Sequence, residues 1–207
     1  MFTGIISDIG RVRRVVPGTD VRLDIATAYD PAGIALGASI ACSGVCLTVI
    51  EKGTIEKGTD AGQHWFAVEV SPETLSLTTL ASWREGTQIN LERAMKVGDE
   101  FGGHIVSGHV DGVGEILSAT PVGDRWGSTE FVFKAPAKLM PYIAAKGSIT
   151  LNGVSLTVNR VSGESFAVNV IPHTLKETIF GKARAGDAIN IEIDMLARYV
   201  ARALGKD

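Results

Sequence analysis

The amino-acid sequence contains a second, diverged copy of its own first half. Residues 66–80 read FAVEVSPETLSLTTL and residues 166–180 read FAVNVIPHTLKETIF, so eight of fifteen positions are identical, where chance gives about one. Three further blocks recur in the same order: CSGVCLTV with LNGVSLTV, EGTQINLERAM with AGDAINIEIDM and, more weakly, FTGIISDIGRV with VSGHVDGVGEI. The offset stays between 100 and 109 residues, whereas solenoid repeats recur every ~20–50 residues, so a whole domain has been duplicated.

Each copy is predicted to be mostly β-strand, because short β-rich runs alternate with Gly, Asp and Ser turns. A small β domain avoids exposed sheet edges by closing into a barrel. We therefore expect two similar antiparallel barrels, at residues 1–97 and 98–193, followed by a helical segment at residues 194–207. Gly98, Gly102 and Gly103 are interpreted as a flexible junction.

Composition disfavours several classes of partner. The 207 residues include 20 basic and 23 acidic side chains without a run of like charge, and 6% are aromatic. An oligonucleotide-binding barrel would be expected to show a cationic groove and stacking aromatics. No stretch approaches the ~18 apolar residues of a membrane span, and the N-terminus lacks a signal-peptide pattern. We expect a cytoplasmic protein that binds neither nucleic acid nor membrane.

Local patterns predict the following elements. The segment SIACSGVCLTV is interpreted as one strand, in which Cys42 and Cys46 would lie ~13 Å apart, too far for a disulfide. Short helices are predicted to begin at Pro72 and Pro172, and another at about residues 138–145. His64 is assigned to a surface loop. Two cysteines and four histidines at these spacings give no zinc signature, so no metal site is expected.

The last segment is predicted to be an amphipathic helix. Its apolar residues recur at helical spacing and are Leu196, Tyr199, Val200, Ala203 and Leu204. This face could pack on its own domain or join subunits, and the spacing alone favours neither.

Six segments together resemble the riboflavin synthase family along essentially the whole chain: MFTGII, VCLTV, GGHIVSGHVDG, KGSITLNGVSLTVN, IPHTL and NIEID. The resemblance implies a mainly β fold of two homologous six-stranded antiparallel Greek-key β-barrels and a C-terminal α-helix. It implies a homotrimer held by these helices, with the active site between the N-terminal barrel of one subunit and the C-terminal barrel of its neighbour. An association with lumazine synthase is left open.

The family's reaction is the dismutation of two 6,7-dimethyl-8-ribityllumazine molecules. One donates a four-carbon unit to the other, giving riboflavin and 5-amino-6-ribitylaminopyrimidinedione. No metal or redox cofactor is implied, because the lumazine ring serves as its own electron sink. Two homologous pockets would hold the two substrates in register, and such positioning can lower a barrier by ~7–11 kcal/mol.

Three of the catalytic candidates that the resemblance implies lie in the N-terminal half or shortly after the junction between the two halves. Phe2 is expected beside the bound heterocycle. Cys46 could attack the acceptor or assist water, or it could be an inert buried thiol. His109 is expected to help remove a proton from the donor's 7-methyl group. For His104, the resemblance supports a structural role at least as well as a catalytic one.

Three more candidates lie in the C-terminal half. Ser155, the repeat counterpart of Cys46, is a second possible attacking group. Lys146 is expected to reach the site of the adjacent subunit and stabilise the donor anion. Asp194 could orient a base, bind the ribityl chain or cap the final helix.

A wider set of residues is assigned to substrate binding. The shared Gly44 and Gly153 are interpreted as strand positions that let a flat ring approach. The predicted binding residues are Gly4, Ile5, Ile6, Ser39, Cys46, Leu47, Thr48, Glu69, Val70, Ser71, Pro72, Glu73, Thr74, Gly108, His109, Val110, Lys146, Ser155, Leu156, Thr157, Asn169, Val170, Ile171, Pro172, His173 and Thr174.

A rival interpretation is a binding protein without catalysis. Lumazine proteins resemble the synthases in architecture but hold a single lumazine or flavin, and they have lost polar residues from one or more of these positions. This sequence retains all six catalytic candidates, which favours the synthase interpretation.

Overall fold

Two closed six-stranded antiparallel barrels form the molecule in a computed structural model that describes residues 1–56, 61–123 and 127–205. The strands of the first barrel are β1 (Asp8–Val16), β2 (Val21–Thr27), β3 (Ser39–Cys42), β4 (Val45–Thr54), β5 (His64–Val70) and β6 (Gln88–Arg93). They close in the order β1-β2-β5-β4-β3-β6, which is a Greek-key arrangement.

The second barrel repeats this order. Its strands are β7 (Gly112–Pro121), β8 (Thr129–Lys134), β9 (Ser148–Leu151), β10 (Val154–Ser162), β11 (Ser165–Val170) and β12 (Ala188–Ile193). They close as β7-β8-β11-β10-β9-β12. The predicted fold class, two homologous six-stranded Greek-key barrels and a C-terminal helix, is therefore confirmed.

Alternating apolar residues fill each barrel. In the second barrel four phenylalanine rings pack with centroids 5.3–6.4 Å apart, and the same interior holds Ile149, Leu151 and Ile191. Each fully buried side chain of this size contributes about 1.5–3 kcal/mol to stability. Rigid, separately filled interiors leave the outer faces of the barrels free to carry a site.

In the described part of the chain, three α-helices flank the barrels: α1 (Pro72–Leu77), α2 (Pro172–Glu177) and α3 (Met195–Ala203). The predicted proline starts of α1 and α2 are confirmed, because both helices begin at their prolines. The helix expected at residues 138–145 is instead a 3₁₀ helix at Ala137–Tyr142. Pro141 within it has no N–H for an α-helical hydrogen bond.

The interpretation of SIACSGVCLTV as one strand is wrong, because Ser43 and Gly44 form a tight turn between β3 and β4. Their φ angles of 44° and 83° are those of a type I′ hairpin, and Asn152 and Gly153 form the same turn between β9 and β10. Gly44 and Gly153 are thus turn residues rather than strand positions open to a ring. The Asn152-Gly153 pair is itself a strong hairpin signal.

Both cysteines are free, as expected, but for a different reason. Cys42 pairs with Val45 and Cys46 with Ala41, on opposite strands of the hairpin. The Cys42 side chain joins the barrel interior, whereas Cys46 packs against a cluster on the outer face. The two thiols therefore point to opposite faces of the sheet.

His64 is the first residue of β5 rather than part of a loop, and its Nδ1 lies 3.0 Å from Thr54 Oγ1. Part of the segment that precedes His64, residues 57–60, lies outside the described residues, as do residues 206–207 of the tail. None of the described helices is both long and apolar enough to cross a membrane.

Candidate active site

Two leading segments cross between the barrels. We call residues 2–6 the first strap and residues 106–110 the second strap. They meet where Phe2 and Val106 exchange backbone hydrogen bonds of 2.8 and 3.1 Å. Beyond this point each strap lies on the barrel of the other copy: Ile6 packs on the second core and Val110 on the first.

Each strap is bonded to one of the predicted attacking residues. The N–H of Cys46 donates to Gly108 O at 2.9 Å, and the N–H of Ser155 donates to Gly4 O at 2.8 Å. A Cβ at Gly108 would lie 2.6 Å from Cys46 Cβ, and one at Gly4 would lie 2.5 Å from Ser155 Cβ. Both glycines have φ near +80°, so glycine is required for conformation and for space.

Two buried carboxylates hold the straps. Glu92 accepts the N–H of Thr3 at 2.8 Å and of Gly4 at 3.0 Å. Glu192 accepts those of Ser107 at 2.7 Å and Gly108 at 2.9 Å. Burial raises the pKa of both carboxyls, while these backbone donors oppose the shift.

The first pocket wall is the outer face of β3 and β4 together with the second strap. Ser39 pairs with Thr48 and Ala41 with Cys46, so all four side chains lie on this face. His109 follows the Gly108 contact and is exposed. The predicted residues Ser39, Cys46, Thr48 and His109 are thus brought together.

Phe2 lies beneath this wall rather than on it. The ring is 0% exposed and packs with Ala41, Val106, Cys46 and Ala94. In this chain its face is covered by protein, so it supports Cys46 and the straps. A direct contact with ligand stays a prediction.

The second pocket wall is the repeat counterpart on β9 and β10. Ser148 pairs with Thr157 and Thr150 with Ser155. Nδ1 of His104 lies 2.7 Å from Ser155 Oγ, and its Nε2 lies 3.1 Å from Thr150 Oγ1. Burial lowers the pKa of His104, with the charge of Asp194 opposing the shift.

A neutral imidazole has one donor and one acceptor nitrogen, and both ring nitrogens of His104 contact hydroxyl groups. With Nδ1 as the acceptor, the imidazole can draw the proton of the Ser155 hydroxyl. The sequence supported a structural role for His104 at least as well as a catalytic one, and the structure places it in contact with Ser155, a predicted catalytic residue. The position of His104 in the chain has no counterpart in the first copy, because the alignment places it before Met1.

The two walls have the same backbone and different chemistry. The first presents Ala41, Cys46 and Ala94 around Phe2. The repeat alignment replaces these three by Thr150, Ser155 and Asp194, and His104 lies among them. The first wall combines an apolar surface and a thiol with His109, whereas the second presents hydroxyl groups, a carboxylate and His104.

Asp194 also caps α3, because its carboxylate accepts the N–H of Leu196 at 2.9 Å. The capping role considered for Asp194 is therefore confirmed, whereas its roles toward a base or the ribityl chain stay predictions. The helix α3 begins directly after the second wall, and four apolar side chains on it, Leu196, Tyr199, Val200 and Leu204, are 58–64% exposed.

Lys146 occupies a backbone conformation that lysine rarely adopts. Its φ is +68°, and its N–H donates to Val158 O at 2.7 Å. The repeat counterpart is Gly37, with φ of +80° and an N–H donated to Val49 O at 2.8 Å. A lysine has thus been placed at a glycine position, exposed beside the second wall.

The remaining predicted binding residues lie at the ends of β5 and β11 and at the starts of α1 and α2. Glu69 follows Val68, which pairs with Val49, so it lies near Thr48. The Ser71 hydroxyl caps α1 by accepting the Thr74 N–H at 3.3 Å. Pro72 and Glu73 begin α1, whereas the predicted binding residues Val70 and Leu47 are buried in the interior of the first barrel, away from its outer face. In the second copy Pro172, His173 and Thr174 begin α2 directly after Ile171, and Asn169 lies on β11. Val170 is buried in the interior of the second barrel, and Leu156 of β10 packs against that interior.

Sequence reasoning missed the residues that join the barrels. The side chains of Asn90 and Asn190 each bridge to the other copy. Each side-chain oxygen accepts a backbone N–H from a 3₁₀ helix of the other copy at 2.8 Å, and each side-chain NH₂ donates to the hairpin turn of the other copy at 2.9 Å. Polar residues at the same place in both copies of an otherwise apolar strand, INLE and INIE, were the available signal. Gly103 is likewise no mere flexible junction, since a Cβ there would lie 2.8 Å from Ser155 Cβ.

Comparisons with known proteins bear on this arrangement. The lumazine binding domain family matches residues 3–94 and again 107–194. A riboflavin synthase of Brucella abortus is 56% identical over 98% of this chain and 97% of that protein. One of Bacillus subtilis is 39% identical over 100% and 91% respectively. Among solved structures, LumP complexed with 6,7-dimethyl-8-(1'-D-ribityl) lumazine has a TM-score of 0.76 at 21% identity, covering 93% of this chain and 99% of that one.

Proposed function

This chain belongs to the riboflavin synthase family of proteins with two lumazine binding domains, and from that membership we propose that it is itself a riboflavin synthase. It converts two 6,7-dimethyl-8-ribityllumazine molecules into riboflavin and 5-amino-6-ribitylaminopyrimidinedione by transfer of four carbons. The full-length similarity to the Brucella abortus enzyme carries the proposal.

The duplicated walls suit a reaction between two molecules of one compound. Each barrel has an equivalent outer face, and the strap of the other copy is bonded to that face in the same way. Each barrel can therefore hold a lumazine in a similar orientation. Donor and acceptor must nevertheless behave differently, and the walls differ where chemistry requires it. Holding both partners in register supplies much of the rate enhancement.

The proton step is assigned to a residue of the second strap and the addition step to residues of the two walls. His109 helps to remove the proton of the donor's 7-methyl group. Cys46 or Ser155 assists addition to the acceptor, directly or through water. The 2.7 Å contact with His104 supports an activated Ser155 hydroxyl.

Charge is controlled by Lys146 and Asp194. A fixed ammonium group stabilises the anion left by deprotonation, and the unusual backbone of Lys146 supports a role that outweighs conformational cost. Asp194 lies at the start of α3, where it acts electrostatically on His104 beside the second wall.

We further propose that the protein is a homotrimer assembled through α3. The exposed apolar side chains of Leu196, Tyr199, Val200 and Leu204 support this, because a helix of a monomer would usually bury such a face. The complete site would lie between the first wall of one subunit and the second wall of its neighbour. A cytoplasmic location and an association with lumazine synthase stay predictions from the sequence.

A second candidate function, lumazine carriage without turnover, is favoured only by the fold likeness to LumP. The two functions differ in how single substitutions act. For a synthase, replacing His109, Cys46, Ser155 or Lys146 by alanine should lower kcat more than it weakens lumazine binding measured by fluorescence. Full activity in all four variants would contradict the assigned roles, and absence of turnover in the unaltered protein would favour the carrier.

A further inference from the structure

Glu192 is a charged side chain in a place where charge is costly. It lies on β12 of the second barrel and is 2% exposed. A buried carboxylate is tolerated when hydrogen-bond donors surround it. Its donors are three consecutive backbone N–H groups of the second strap, those of Ser107, Gly108 and His109.

These three bonds fix the strap on one side, and the first barrel fixes it on the other. Gly108 O accepts the Cys46 N–H at 2.9 Å. The peptide that carries His109 is therefore clamped between a carboxylate of the second barrel and a strand of the first. The imidazole belongs to the residue directly after Gly108, which is held on both sides, so the clamp determines where it lies over the first wall.

We infer that Glu192 is a positioning residue for His109, acting through the backbone of the second strap rather than through contact with substrate. This inference rests on the proposed function, because His109 is assigned the proton transfer there. It also makes the first pocket dependent on a residue of the second barrel, since β12 supplies the carboxylate.

The duplication provides a matched control. Glu92 lies on β6 at the repeat position, is also buried, and accepts the N–H groups of Thr3, Gly4 and Ile5. The residue at the end of its clamp is Ile5, which cannot transfer a proton. Glu92→Gln and Glu192→Gln thus disturb the same kind of backbone clamp, one ending at Ile5 and the other at His109. Glu92 additionally accepts the Thr3 hydroxyl at 3.2 Å.

The test is a double-mutant cycle in the full-length protein, with turnover of 6,7-dimethyl-8-ribityllumazine as the assay. Glu192→Gln replaces one carboxylate oxygen by an NH₂ that opposes a backbone N–H. We expect kcat to fall about 10- to 100-fold, because displacements of about 1 Å have effects of that size. KM should change by less than about threefold.

The cycle separates positioning from general structural support. If Glu192 acts through His109, the His109→Ala/Glu192→Gln double variant should be no more than about twofold slower than His109→Ala. The losses of Glu92→Gln and His109→Ala should instead multiply. A Glu192→Gln loss that persists in full on the His109→Ala background would overturn the inference, as would unchanged kcat in Glu192→Gln.

A spectroscopic measurement keeps the inference independent of turnover. The imidazole Cε1–H signal of His109, assigned by its loss in His109→Ala, should shift or broaden in Glu192→Gln and stay in place in Glu92→Gln. The shorter carboxylate of Glu192→Asp serves if the glutamine variant does not fold. An unmoved His109 signal in the folded Glu192 variant refutes the positioning role, whereas a lack of riboflavin from the unaltered protein refutes only the proposed function.

Discussion

Replacing Lys146 by glycine should stabilise the fold and impair the reaction. Lys146 has a left-handed backbone with φ of +68°, and the other copy has Gly37 in the same hydrogen-bonded position. A side chain in this conformation costs about 1–2 kcal/mol, because Cβ approaches the following carbonyl oxygen. Glycine avoids this cost.

The net gain is smaller, since glycine also makes the unfolded chain more flexible by about 0.4–1 kcal/mol. Lys146→Gly should therefore raise the free energy of unfolding by about 0.5–1 kcal/mol. For a chain of this length that corresponds to a Tm increase of about 1–4 °C. The same variant loses the cation assigned to the donor anion, and the loss of one such group lowers kcat about 100-fold.

The assay combines thermal unfolding followed by circular dichroism with steady-state riboflavin formation. Gly37→Lys is the matched control, because a Cβ there meets nothing within 4 Å and only the conformational cost applies. It should lower Tm by a similar amount. A Lys146→Gly variant that is less stable and fully active would refute the reasoning on both counts.

Three further predictions concern the straps, the buried imidazole and the last helix. Gly108→Ala should destabilise the fold by about 2–4 kcal/mol in urea unfolding, because the new Cβ would lie 2.6 Å from Cys46 Cβ and the backbone there is left-handed. Gly86→Ala has the same backbone conformation but no atom within 4 Å of the new Cβ, so it should cost only about 1–2 kcal/mol. Burial lowers the pKa of His104 below its usual 6.5, so the unfolded state binds more protons than the folded state as pH falls through this range. The free energy of unfolding should therefore fall as pH drops from 7 to 5, and it should fall less steeply in His104→Gln. Parallel pH profiles of the two proteins would contradict this prediction. Leu196→Glu should dissociate the proposed trimer without unfolding the barrels, seen by light scattering; an unchanged mass would argue against assembly through α3.

The duplication made the fold predictable from sequence. Alternating apolar residues and turn residues indicated strands, and two copies of one pattern implied two barrels of one topology. The hairpin at Ser43-Gly44 was missed because apolar residues continue on both sides of the turn. In a closed barrel the outer face can also be covered, here by Phe2 over Ala41, so alternation between apolar and polar residues is lost.

The site was predictable only in part. Motifs identified Cys46 and Ser155, but no local pattern shows that each lies under a strap of the other copy. The roles of Glu92 and Glu192 depend on backbone groups 84–89 residues away in sequence, and backbone donors leave no trace in side-chain identity. The conformation of Lys146 could not be predicted either. The sequence aligns it with Gly37, but only the φ angle of +68° shows that the lysine occupies a left-handed backbone position.

The central claim is tested most directly by incubating the purified protein with 6,7-dimethyl-8-ribityllumazine as the only added compound. Riboflavin and residual lumazine are then quantified by absorbance and chromatography. We predict repeated turnover, with one riboflavin and one pyrimidinedione formed for every two lumazines consumed. Tight binding of lumazine with no riboflavin formed would contradict the account and identify the protein as a carrier.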